Sequence, residues 1–117
     1  MKLRTRQIEV EIEVRGIKVR GRALTPQEVA EMHEKHVKIV GRGQESRRIT
    51  DAVAISMDTF NRMVLGWEGA TDEDGRPLPC DKKSKETVFT YDQDFVAEVT
   101  TAINSEIREF REVESKN

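Results

Sequence analysis

The sequence predicts an α+β fold, with an N-terminal antiparallel β-hairpin packed against about three helices. Two patterns carry that prediction: strict alternation of apolar and charged residues near the start, and apolar residues at helical spacing through the remainder. A third feature punctuates them. Residues 66–80 hold the only Trp, the only Cys and two of the three Pro, so helix cannot continue there and an ordered Gly/Pro-rich loop is expected. At 117 residues the chain is expected to be a single domain, 1–117, with one modest core.

The hairpin spans residues 6–23. Gln7-Ile8-Glu9-Val10-Glu11-Ile12-Glu13-Val14 alternates without a break, as does Ile17-Lys18-Val19-Arg20. With Arg15-Gly16 as a two-residue turn, Val14 faces Ile17 and Ile12 faces Val19. The same register sets Glu13 against Lys18, Glu11 against Arg20 and Glu9 against Arg22. Each such pair contributes about 0.2–1 kcal/mol. A slip of one residue would turn the apolar set to water.

Thr25-Pro26-Gln27-Glu28 starts a helix over about 26–40, with Thr25 as N-cap, Pro26 in the first turn and Glu28 closing a capping box. The end of this segment, His36 to Val40, has a short strand as its alternative reading. Residues 41–48, with Gly41, Arg42, Gly43, Arg47 and Arg48, read as a mobile basic linker. Thr50 or Asp51 then caps a second helix over about 51–65, whose apolar face would be Val53, Met57, Phe60, Val64 and Trp67. In the loop that follows, Trp67 and Leu78 are expected to pin a turn formed around Asp74 and Gly75, with Gly69, Pro77 and Pro79 fixing its path. Asp81–Glu86 reads as a short helical turn and Val88–Tyr91 as extended chain. Asp92 caps a last helix over about 93–113, where Phe95, Val99, Ile103, Ile107, Phe110 and Val113 form one stripe.

Charge narrows the function classes. The 20 basic and 22 acidic residues give a net charge of −2, which makes no general case for nucleic acid or an anionic membrane. The ends differ in sign: seven basic residues against three acidic in 1–22, two basic against seven acidic in 92–114. They are expected to attract each other, within a chain or between copies. A single cysteine cannot form an intrachain disulfide, no apolar run approaches 18 residues, and a cytoplasmic protein is expected.

No catalytic, cofactor or metal site is expected. His33-Glu34-Lys35-His36 lacks the spacing of a zinc-protease helix and any evident third ligand. Aligning Gly75 with the glycine of a calcium loop puts Ala70 at the first ligand position, so Asp72 and Asp74 read as a turn. Cys80 has no base nearby in sequence and reads as a structural thiol. The Arg42, Arg47 and Arg48 cluster lacks the interleaved aromatics of a nucleic-acid surface.

Val64-Leu65-Gly66-Trp67-Glu68-Gly69, followed by Asp72-Glu73-Asp74-Gly75-Arg76-Pro77-Leu78-Pro79-Cys80, resembles a pattern in small tailed-phage and prophage tail assembly chaperones. The resemblance covers residues 24–103 and departs after Cys80, where Asp81–Glu86 replaces the family's usual helix start. It implies a non-enzymatic role: holding the tape-measure protein until tail-tube subunits polymerise around it. It also implies a tail protein as partner and a host-cytoplasmic setting. The alternative is a structural, oligomerising tail component or a general protein-interaction module. The hairpin and the first half of the last helix are expected to satisfy each other. Ile103, Ile107, Phe110 and Val113 are then the candidate partner-binding residues, toward a client or another copy.

Overall fold

The computed structural model describes residues 1–116, and its first elements are the strands of the expected hairpin. Strands β1 (Glu9–Val14) and β2 (Ile17–Arg22) pair antiparallel, with Val14 opposite Ile17, Glu11 opposite Arg20 and Glu9 opposite Arg22. Arg15 and Gly16 have φ of 54° and 77°, the left-handed pair that a tight hairpin turn needs. A non-glycine residue is strained there. Arg15 is held by ion pairs to Asp92 at 3.1 Å and Glu98 at 3.0 Å, with its guanidinium over the Phe95 ring.

Helix α1 (Pro26–Lys35) begins with the capping box, the Thr25 hydroxyl accepting from the Glu28 amide. It ends earlier than residue 40. The chain leaves the helix at His36, and Val37–Val40 becomes strand β3. The expected linker 41–48 is likewise corrected: a 3₁₀ turn (Gly43–Glu45) leads into strand β4 (Arg47–Thr50), which pairs antiparallel with β3. Val37, Ile39, Val40 and Ile49 are β-branched, a stiffness that favours strand over a further helical turn.

Asp51, not Thr50, caps helix α2 (Ala52–Met63), accepting from the Ala54 amide at 3.1 Å. This helix also stops short of expectation, because Val64–Glu68 forms strand β5 and pairs with β2. Sheet order is therefore β1-β2-β5. Trp67 leaves the apolar face of α2 and instead sits opposite Val19 across the sheet, half-buried. Unsatisfied backbone groups along β2 explain the switch, since a paired strand satisfies what a longer helix would leave open.

Residues 69–80 form the ordered loop. Thr71 pairs with Pro77, and the Asp72 carboxylate accepts from the Asp74 and Arg76 amides at 2.9 Å. Gly75 takes φ 78° at the tip. The Trp67 indole N–H donates to the Leu78 carbonyl at 2.8 Å, and its ring meets Phe95 edge-on. Past the loop, Asp81 caps a continuous helix α3 (Lys82–Tyr91), so Val88–Tyr91 is helical, not extended, and Phe89 is buried. Helix α4 (Gln93–Lys116) follows at once, the Asp92 carboxylate accepting from the Phe95 amide at 3.1 Å.

The core lies between the β1-β2-β5 sheet and the helices. Ile8, Ile12, Val14 and Val19 of the hairpin meet Val96, Val99, Ile103 and Ile107 of α4, with Phe60, Met63, Val64 and Phe89 completing it. Gly21 is what lets α4 lie so close. A Cβ there would sit 2.8 Å from Ile103 Cγ1, against a side chain with no room to move. Helix α1 attaches separately, through buried Met32 and an ionic bridge described below. The chain is flat, 54 × 51 × 19 Å, with a radius of gyration of 17.1 Å. A compact domain of this length has about 13 Å.

Candidate functional site

Helix α4 is longer than the surface it covers. Its stripe is buried from Phe95 to Ile107, then emerges: Phe110 is 40% exposed and Val113 60%. Of the four candidate partner-binding residues, Ile103 and Ile107 are therefore core, because the hairpin reaches far enough along α4 to cover both. Phe110 and Val113 remain available. Around them stand Glu106, one turn before Phe110, and Glu109, one turn before Val113. Glu114 is paired with Arg4, whose guanidinium lies over the Phe110 ring at 4.9 Å. The basic N-terminus thus does reach the acidic C-terminal helix, through Arg4 at one end and Arg15 at the other.

The hairpin β3–β4 is the second surface. Ile39 is 71% exposed, with Arg48 directly across the pair, while the opposite face carries Lys38 beside Ile49 and Arg47 beside Val40. Among the described residues no carboxylate lies within ion-pair distance of Lys38, Arg42, Arg47 or Arg48. Composition alone had marked these arginines. What it missed was the strand pair that presents them, although the β-branched runs on both sides of Gly41-Arg42-Gly43 carried that signal.

The ionic bridge fixes α1 to the body. Arg22 of β2 donates two bonds to Glu28 of α1, at 2.8 and 2.7 Å, and this partner holds the Glu28 carboxyl at about 2, far below its usual range. Arg62 of α2 lies 3.7 Å from Glu28 and bonds Asp58 at 2.7 Å. Burial pushes the Asp58 carboxyl up, but hydrogen bonds from His36 and Arg62 outweigh it and leave it lowered. His36, the C-cap of α1, reaches Asp58 at 2.8 Å.

The remaining chemistry-bearing residues have structural surroundings. His36 is occupied by Asp58 and does not converge with His33. Among the described residues no three His, Cys, Asp or Glu side chains gather as a metal set. Asp72 is consumed by its own turn. Burial pushes the Cys80 thiol up, against the reactivity a nucleophile needs. Beside Trp67 a shallow groove of about 180 Å³ is floored by Ile17, Leu78, Val88 and Phe95 and rimmed by the paired Arg15 and Asp92. No helix of the described chain is long and apolar enough to cross a membrane.

Comparison with protein-family models, with curated proteins and with solved structures gives no match for this chain.

Proposed function

We propose that this chain is a non-enzymatic assembly protein that holds another polypeptide on the emergent end of α4. The reading that fits the Gly66–Cys80 pattern is a phage or prophage tail assembly chaperone, with the tape-measure protein as client and tail-tube protein as the partner that displaces it. The observation that supports it is the change along one helix: the stripe is core up to Ile107 and open at Phe110 and Val113. Exposed apolar groups ringed by Glu106, Glu109 and Glu114 suit a holding surface. They attract the apolar face of a client helix while the carboxylates keep the complex in solution. The loop of Trp67, Gly69, Asp74, Gly75, Pro77, Leu78 and Pro79 is architectural in this reading, closing the sheet over Phe95.

The test replaces both Phe110 and Val113 with Ser and measures melting temperature together with capture of the long tail protein. Lost capture with a melting temperature unchanged within a degree or two supports the proposal. Intact capture per folded molecule overturns it. A second reading, a structural oligomerising component, is favoured by the uncovered β3–β4 hairpin and is taken up next.

A further inference from the structure

The β3–β4 hairpin is a ribbon of cations and apolar residues in which Ile39 stands largely exposed. A two-stranded ribbon is marginal by itself in water and is stabilised when another surface covers it. The missing complement is present elsewhere on the same chain. The emergent end of α4 carries Phe110, which Arg4 of the same chain partly covers, and the more open Val113, one turn past Glu106 and Glu109, and neither glutamate has a cation within ion-pair distance among the described residues. Among the described residues no ion pair or side-chain hydrogen bond joins the two regions within one chain. We infer that the β3–β4 ribbon of one copy docks on the α4 end of a second copy, Ile39 against Phe110 and Val113, the ribbon cations against Glu106 and Glu109.

Area supports the occupant. The chain exposes 8812 Å², whereas a compact monomer of this size exposes about 6,500 Å². The excess, roughly 2,300 Å², is ample for a standard interface of about 1,600 Å² in total. The contact joins two different patches, so it either closes by reciprocal exchange between two copies or propagates along a row. A client on the same α4 end would compete with it, which makes self-association the resting state of the holding surface.

The proposal shares the α4 end with the function above, but its test uses the purified chain without client, so each can fail alone. Sedimentation equilibrium of the full chain should show mass rising with concentration and falling with added salt. Arg47→Glu with Arg48→Glu should weaken association roughly tenfold or more, and Glu106→Lys with Glu109→Lys should do the same. Mixing the two reversed variants should restore it, with circular dichroism confirming that each is folded. A monomer at every concentration overturns the proposal. So does association that survives both reversals, or a monomer whose ribbon instead retards an oligonucleotide, which would assign the cations to phosphate.

Discussion

The hairpins β1–β2 and β3–β4 are both antiparallel and both turn through glycines of positive φ, but the first sets its cations opposite glutamates and the second sets Lys38, Arg47 and Arg48 opposite apolar residues. Their surroundings differ. The first is covered on one face by α4, so that Ile12, Val14 and Val19 are buried, and β5 extends it on the other edge. The second, among the described residues, has no helix across it and no third strand. Alternation therefore specifies a strand's two faces but not what lies against them. Where α4 supplies the cover, the ribbon is core; where it does not, Ile39 is left exposed.

The comparison breaks most visibly if the cover is removed. Ile103→Ala deletes the side chain that fits into the notch left by Gly21, and the loss should be about 2–5 kcal/mol. Urea unfolding would measure it, and β1–β2 should melt with the whole domain. A loss under about 1 kcal/mol would mean that α4 does not stabilise the sheet.

A smaller effect separates the tether of α1, which leads into the second hairpin, from the core of the first. Glu28→Gln removes the carboxylate that joins α1 to β2 and α2, and should cost about 1–2 kcal/mol. The sign with pH follows from the direction of the shift. Glu28 titrates near 2 when folded against an ordinary 4.5, so its contribution is full above about pH 4.5 and is lost as pH falls toward 2. Asp58, also lowered, acts in the same sense. Acid titration of wild type and Glu28→Gln should converge at the low end. Curves that stay parallel would contradict the tether.

Most of the first hairpin was legible because its evidence is local. Period-two alternation and three charge pairs fix one register, and the capping box at Thr25–Glu28 and the cap at Asp92 are equally short-range. What escaped was long-range. Val64–Glu68 joins the sheet because β2 lies beside it, a fact 40 residues away in sequence. Val88–Tyr91 is helical because Asp81 starts a helix there and Phe89 finds the core, which outweighs the strand preference of Val-Phe-Thr-Tyr. The candidate surface was half legible. The stripe of α4 was plain, but where its burial ends depends on how far the sheet reaches, and that placed Ile103 and Ile107 inside.

The smallest expected effect sharpens the contrast from the other side. Ile39→Ser, on the open face of the second hairpin, should change monomer stability by no more than about 0.5 kcal/mol. Chemical denaturation at low protein concentration would read it. A loss comparable to that of Ile103→Ala would show that Ile39 is covered within the monomer.

Amide hydrogen exchange on the dilute chain compares the two hairpins in a single experiment. Amides of Ile12, Val14 and Val19 should exchange only through global unfolding, while those of the β3–β4 pair should open locally and exchange orders of magnitude faster. Raising the concentration should slow the second set, as a second copy covers it, and the first set only through the stability that association adds to the whole fold. Equal protection of both hairpins in the dilute monomer would contradict the account, because β3–β4 would then have a cover of its own and no need of another chain.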